Sequence, residues 1–362
     1  MSTEDSADEE NQPSPLPSLP QEIITECVAR APRSYYSILS LVSNHFRSLV
    51  TSPELYARRR SLPSRDDHCL YVAISENQTS SINWYTLSRK PNNKFWLVRI
   101  PSLPPMALHG SYVVVGRSIL VMGGFFRWGL ISPGVFRIDC WSHTVQPLFP
   151  MPKAVAGSVC ELVDGKIYVI GGSDSGSSEM KSSSGLIMAF DLEAQTWEVW
   201  QRPDWEVRQR WFSSVNMSGK IHMRGNKNSY VFEPKEGTWE EDRVLDSKEW
   251  SNACVIDNVL YYYDARVNCI RTYDPKERVW GVVKGVELGM FEDGSWSYAV
   301  NYGGNLLVFL HKEVALTETT EIWCAEVVVE RREEGEIWGR VAWCDLVLDG
   351  KFHIMKCLSV KV

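Results

Sequence analysis

The sequence predicts an all-β protein, a six-bladed β-propeller with four antiparallel strands in each blade, preceded by a small all-α domain. Three observations support this fold class. A short cassette, seen most clearly as DGKIYVIGG at 164–172, recurs five times in order. A single alternating segment at 352–362 has no neighbouring strand left to pair with. The helical period of apolar residues is confined to residues 18–62.

Residues 1–17 are acidic and rich in Pro and Ser, which predicts a disordered tail rather than a secretory signal. The formal net charge of -7 argues against nucleic acid as a partner. No apolar run approaches the ~18 residues that a membrane-spanning helix needs. The nine scattered cysteines contain no CxxC pair and favour reduced thiols. We therefore expect an intracellular protein of the cytoplasm, the nucleus or both, without a membrane partner.

Residues 18–62 have the apolar period of short helices. Ile24, Val28 and Ala31 share one stripe before Pro32 ends the first helix. A second apolar run follows at 36–50, and Ser52-Pro53 begins another helix. So short an apolar segment is marginal as an independent fold, and we expect a partner to cover part of it. Residues 63–68 form the predicted linker to the propeller.

The recurring cassettes lie at 116–124, 164–172, 218–226, 257–265 and 303–311. Each follows a short alternating strand and precedes another strand that ends in an acid. In three repeats the acid stands six residues before a tryptophan: Asp191 and Trp197, Glu233 and Trp239, Asp274 and Trp280. The acid and the residues after it predict the tight turn between the third and fourth strands. In the first repeat Val145 replaces the tryptophan, and the last repeat is stretched.

One blade is incomplete in sequence order. Residues 69–104 supply a second, third and fourth strand but no inner strand, whereas 352–362 is one strand alone. We expect 352–362 to complete that blade, which closes the ring and leaves no exposed edge. Six blades of roughly 49 residues result, a length within the range of such repeats.

The repeat pattern resembles the kelch repeat over about 69–362, through the double glycine and the acid six residues before Trp. The double glycine is complete only at 123–124 and 171–172. The kelch resemblance implies a β-propeller that binds proteins. Some copper oxidases also have kelch-like propellers. A metal-dependent oxidase is therefore a third hypothesis, after the adaptor and the scaffold described below.

Residues 18–62 resemble an F-box, through the Leu-Pro opening, Arg30 followed by Pro32, and the run LSLVSNHFRSLVTSPEL. Phe46 stands where that family often has Trp. The resemblance implies docking onto a Skp-type adaptor, and through it onto a cullin-based ubiquitin ligase. The matching positions for adaptor binding are Leu19, Pro20, Ile24, Leu41, Val42, Phe46 and Leu49.

No catalytic, cofactor or metal site is indicated. The seven histidines form neither HExxH nor any pair four residues apart, and GxSxG and Walker motifs are absent. Long loops between second and third strands, and between blades, should share one face of the ring, and binding residues concentrate on such loops. Arg and Trp are enriched at interface hot spots. The candidates for substrate binding are Arg127, Trp128, Trp205, Arg208, Arg210, Arg266, Asp293 and Trp296.

The preferred hypothesis is a non-catalytic adaptor of an SCF-type (Skp, cullin, F-box) ubiquitin ligase, in which the helical domain holds the ligase and the propeller holds a protein substrate. The alternative is a kelch scaffold that binds cytoskeletal or signalling proteins without a role in ubiquitination. The substrate itself is not encoded in any motif we recognise.

Overall fold

The computed structural model describes residues 19–62, 68–76, 81–126, 130–172, 186–201, 211–226, 228–288, 296–314, 318–332 and 335–362. The helices of the N-terminal domain are α1 (Gln21–Arg30), α2 (Tyr36–Val42), α3 (Asn44–Leu49) and α4 (Pro53–Ser61), with a 3₁₀ turn at Arg33–Tyr35. A short helix α5 (Arg243–Asp246) lies between two blades.

The propeller has six four-stranded antiparallel sheets, as predicted. Blade 1 contains β1 (His68–Glu76), β2 (Ile82–Arg89), β3 (Phe95–Arg99) and β24 (Phe352–Lys361). Blade 2 contains β4 (Ser111–Val115), β5 (Ser118–Met122), β6 (Val135–Asp139) and β7 (Thr144–Pro147). Blade 3 contains β8 (Val159–Val163), β9 (Lys166–Ile170), β10 (Leu186–Asp191) and β11 (Thr196–Gln201).

The remaining blades follow in chain order. Blade 4 contains β12 (Trp211–Met217), β13 (Lys220–Gly225), β14 (Ser229–Glu233) and β15 (Thr238–Glu241). Blade 5 contains β16 (Cys254–Ile256), β17 (Val259–Asp264), β18 (Cys269–Asp274) and β19 (Val279–Val282). Blade 6 contains β20 (Ser297–Tyr302), β21 (Asn305–Val314), β22 (Thr319–Arg331) and β23 (Ile337–Gly350).

The prediction that the C-terminal strand closes the ring is confirmed. β24 pairs antiparallel with β1, from His68 opposite Lys361 to Glu76 opposite Phe352. Leu358 and Val360 pack with blade 2, whereas Ile354 and Cys357 pack with blade 6. The alternating side chains of β24 therefore fill the gaps on both sides of blade 1.

The acid of each predicted turn has the expected role. The Asp191 carboxylate accepts hydrogen bonds from the backbone N–H groups of Glu193 and Ala194, both at 2.9 Å. Trp197, on the next strand, is the cross-strand partner of Phe190, with the ring centroids 5.0 Å apart. The acid therefore holds the turn, and the tryptophan six residues later packs beside the strand that precedes it.

The stretched last repeat is an extended hairpin of β22 and β23. Its tip reaches blade 5, where the Lys284 N–H donates to the Ile337 carbonyl at 2.9 Å and the Gly339 N–H donates to the Lys284 carbonyl at 2.8 Å. The longer strands thus join two blades at the outer rim of the ring.

Candidate functional surfaces

The helical domain is built around a small apolar core of its own. Leu55, Ala29 and Leu49 are buried at its centre. Ser43 and Ser52 cap α3 and α4, since each hydroxyl accepts a hydrogen bond from a backbone N–H three residues later. These short helices are therefore fixed by local capping and by a shared core.

The helical domain is seated on the turn between β6 and β7 of the propeller. The Arg33 guanidinium donates to the carbonyl oxygens of Cys140 at 2.6 Å and Trp141 at 3.0 Å. In return, Trp141 Nε1 donates to the Tyr56 carbonyl at 2.9 Å, and Arg33 lies 5.1 Å from the centre of the Tyr56 ring. Turns between third and fourth strands lie on the ring face opposite the long loops, so the helices leave the long-loop face uncovered.

Two groups of apolar side chains on the helical domain are exposed. Leu19 and Ile23 lie at the start of α1, and Leu41 (66% exposed) and Val42 (59%) lie at the end of α2. We call these four residues the helical apolar surface. Exposed apolar side chains that lie next to each other, as in each of these two groups, are candidates for contact with another protein.

The predicted adaptor-binding residues are divided between this surface and the core. Pro20 is exposed beside Leu19, whereas Ile24 and Phe46 are half-buried against the core. Leu49 is only 4% exposed, so its effect on a partner would be indirect, through the packing of α3.

Sequence reasoning chose Ile24 and passed over Ile23. The helical period could have distinguished them, because Leu19 and Ile23 are four residues apart on the outward side, whereas Ile24 is four residues from the buried Val28.

Of the predicted substrate-binding residues, two fall within the described ranges. Arg266, between β17 and β18, forms an exposed ion pair with Glu249, with Nη2 and Oε2 2.5 Å apart. Trp296, just before β20, is half-buried and packs edge-on against Tyr298 (centroids 4.9 Å apart) and His311 (5.9 Å). Outside the described residues are Arg127, Trp128, Trp205, Arg208, Arg210 and Asp293.

Three exposed apolar side chains on the same loops were not predicted. Phe126 (44% exposed) and Leu130 (71%) flank the predicted pair at 127–128, and Val267 (54%) follows Arg266. The enrichment of Arg and Trp at interfaces does not point to these residues, which are one phenylalanine and two aliphatic side chains.

In the described ranges, no three His, Cys, Asp or Glu side chains come together as a metal site would require. None of the helices placed in the structure combines the length and apolarity needed to cross a bilayer.

Fold and surfaces together define a β-propeller that carries a small helical domain with exposed apolar side chains on one face. Comparison with known proteins agrees at family level. An F-box domain model matches residues 16–58, and the FKB95 kelch-repeats domain model matches 84–348. The chain therefore belongs to the F-box/kelch-repeat family.

Full-length relatives are found in Arabidopsis thaliana. The F-box/kelch-repeat protein At4g38940 is 55% identical over 352 residues, which cover 94% of this chain and 93% of that protein. The F-box/kelch-repeat protein At4g39240 is 40% identical over 354 residues, covering 95% and 90%. The solved structure entitled "Structure of YjhT" matches with a TM-score of 0.50 at 12% identity, covering 77% of this chain and 98% of that one, which supports the propeller fold alone.

Proposed function

We propose that this protein is the substrate-recognition subunit of an SCF-type ubiquitin ligase. The helical apolar surface binds a Skp-type adaptor and thereby a cullin, while the long-loop face binds a protein substrate. The subunit does no chemistry itself and accelerates ubiquitin transfer by bringing the substrate close to the other subunits. Its place of action is the cytoplasm, the nucleus or both.

One observation carries this proposal. The helices rest on the short-turn face through Arg33 and Trp141, while Leu41 and Val42 point to solvent. The two candidate binding surfaces therefore lie on different sides of the molecule, so a substrate and an adaptor can be held at the same time.

The adaptor half is tested by co-purification of the full chain with a Skp-type adaptor. We expect Leu41→Asp/Val42→Asp to abolish co-purification, because charged groups cannot be buried against an apolar partner without a large desolvation cost. Leu19→Ala/Pro20→Ala should weaken it. Val279→Asp, which changes an equally exposed residue on the rim of blade 5, is the matched control. If wild-type protein captures no adaptor, the protein is instead a scaffold without a ligase role.

The substrate half is tested by affinity capture from cells treated with a proteasome inhibitor. A substrate should be enriched with wild-type protein, and also with Leu41→Asp/Val42→Asp, which stays unlinked to the ligase. Arg266→Glu should reduce its capture, and Lys276→Glu, at an exposed position in the turn between β18 and β19 on the opposite face, should not. A protein captured equally by wild type and Arg266→Glu would remove Arg266 from the substrate-binding residues.

A further inference from the structure

A cavity of about 840 Å³ lies between the helical domain and the propeller, and we call it the inter-domain cavity. Its helical wall comes from the 3₁₀ turn and from α2, α3 and α4. Its propeller wall comes mainly from blade 1, together with the β6–β7 turn and the β20–β21 turn. Tyr71 is a buried part of this wall and Thr51 an exposed part, so the cavity reaches from the interior to the surface. Small-molecule pockets commonly measure roughly 300–1,000 Å³ and lie between domains, so this cavity has the size and position of one.

The charged side chains that line the inter-domain cavity are unbalanced. Glu326 is the one acid among the described lining residues. Its carboxylate is already bonded, since Oε1 accepts from Asn305 Nδ2 at 2.7 Å and Oε2 accepts from Trp343 Nε1 at 2.6 Å. Three arginines also line the cavity and form no ion pair with any carboxylate in the described ranges: Arg33, Arg47 and Arg99. The cavity therefore has an excess of positive charge.

Arg33 is held at the wall of the cavity by neutral groups. Its Nη1 and Nη2 donate to the carbonyl oxygens of Cys140 and Trp141, and these contacts use two of the five N–H donors of a guanidinium. No carboxylate takes any of the other donors within the described chain. Charges that are withdrawn from water are normally paired, and a guanidinium can bind a carboxylate or a phosphate through two parallel hydrogen bonds. An anion in the cavity would supply the negative charge that Arg33 lacks.

Much of the remaining wall is aromatic. Four tyrosines line the cavity, and the protein itself accepts a hydrogen bond from each hydroxyl, at the carbonyl groups of Val28, Val50, Cys140 and His68. The tyrosines, in the same order, are Tyr36, Tyr56, Tyr71 and Tyr302. Because their hydroxyl groups are already bonded, these residues offer a ligand mainly the surface of their rings. A ligand that fits the whole cavity therefore combines an anionic group with an apolar body.

We propose that the inter-domain cavity binds a small organic anion, with a carboxylate or phosphate group at Arg33 and an apolar body against the tyrosine rings. Arg33 binds the anionic group through donors that the propeller carbonyls do not use. Arg47, which is exposed at the cavity, adds positive charge where the ligand enters. The argument rests on the cavity alone and does not depend on the ligase role.

The first test measures the binding of four probes to the purified full chain by calorimetry. Naphthalene-2-carboxylate and 2-naphthyl phosphate carry both features and distinguish the two kinds of anionic group. Naphthalene-2-carboxamide lacks the charge, and inorganic phosphate lacks the apolar body. We expect at least one naphthyl anion to bind, and the amide and inorganic phosphate to bind about tenfold or more weakly. The proposal is overturned if neither naphthyl anion binds, or if the amide or inorganic phosphate binds as tightly as the better of them.

Arginine variants then test the recognition of charge. Arg33→Met should make the naphthyl anion bind no more tightly than the amide, because the group that distinguishes them is gone. A merely structural Arg33 would change both affinities by the same factor and leave their ratio as in wild type. Arg47→Met should weaken the anion several-fold, and Arg243→Met, at an exposed site away from the cavity, should have no effect.

A filling variant tests the location. Ser34 is half-buried and lines the cavity, so Ser34→Trp should occupy part of its volume and abolish binding of the naphthyl anion. Ser48→Trp is the matched control, because Ser48 is exposed on α3 and does not line the cavity. Unchanged affinity in both Ser34→Trp and Arg33→Met would place the bound anion elsewhere and contradict this site.

Discussion

His222 is an ionisable residue enclosed between apolar strands. It lies on β13 opposite Val215 and Val231, is 5% exposed, and its Nδ1 has no hydrogen-bond partner in the described part of the chain. Burial lowers the pKa of His222 to about 4, against a weaker opposing effect of Asp242. In the unfolded chain a histidine has a pKa of about 6.5. The folded protein therefore excludes a proton that the unfolded chain would bind.

This difference predicts a pH dependence of stability. Between pH 6.5 and 4 the unfolded state binds more protons, so the free energy of unfolding falls as the pH is lowered through this window. We expect His222→Leu to remove a slope of up to about 1.4 kcal/mol per pH unit, measured by urea unfolding at several pH values. His353→Leu, at an exposed position, is the control. Identical slopes in wild type and His222→Leu would contradict the burial of a neutral imidazole.

At the scale of single elements, the double glycines show why the cassette ends as it does. Gly123 and Gly171 have φ values of +67° and +76°. A Cβ atom on Gly123 would lie 2.3 Å from the Val155 carbonyl oxygen, and one on Gly171 would lie 2.4 Å from Trp211 Cδ1. Positive φ and close approach of the loop entering the next blade both require glycine here.

Gly171→Ala should therefore destabilise the protein by more than the strained φ alone would. We expect a loss of about 3 kcal/mol in the free energy of unfolding, from the strained φ and the contact with Trp211 together. Gly165 is the matched control, because its φ is +79° but no atom lies within 4 Å of its Cβ position. Gly165→Ala should lose about 1 kcal/mol. Equal losses in the two variants would show that the Trp211 contact is unimportant.

The structural features that the sequence predicts are those determined by residues close together in the chain. Asp191 holds its turn through N–H groups two and three residues later, so a short pattern was enough to find it. The sequence shows only that the last repeat is stretched, because the reason for the long β22–β23 hairpin lies in contacts with Lys284, some fifty residues earlier. The domain boundaries at 17, 62 and 68 stay predictions, since residues 1–18 and 63–67 are outside the described ranges.

The candidate surfaces also have some features that a local sequence pattern predicts and others that it does not. The exposure of Leu41 and Val42 follows from the helical pattern of a short segment. The position of the helical domain on the propeller does not follow from such a pattern, because Arg33 contacts carbonyl groups more than a hundred residues away.

For the whole molecule, the Arg33 contacts predict that the two domains are coupled. Arg33→Ala removes two charge-assisted hydrogen bonds worth about 1.5 kcal/mol or more each. Hydrogen exchange in α1–α4 should become faster, while exchange in blades 3 to 5 stays unchanged. Arg243→Ala, at an exposed site, is the control. Unchanged exchange in α1–α4 would mean that the helical domain is held by other contacts.

Removal of 352–362 should open the ring. The edge of β1 and the apolar sides of blades 2 and 6 against which β24 packs would be exposed, and such edges pair with other chains. We expect the truncated protein to associate or aggregate in size-exclusion chromatography, and a synthetic 352–362 peptide to restore the elution volume of the wild type. A peptide of the same composition in scrambled order should fail. A truncated chain that elutes as wild type would contradict the closure.

The pairing of β24 with β1 also has a consequence for biosynthesis. The strand that completes blade 1 leaves the ribosome nearly three hundred residues after its partner strand β1. At a typical elongation rate of about 5–20 residues per second, the nascent chain waits tens of seconds or less with blade 1 unfinished. A stop codon within 352–361 would therefore release a polypeptide with an incomplete blade 1, which quality-control proteases can recognise.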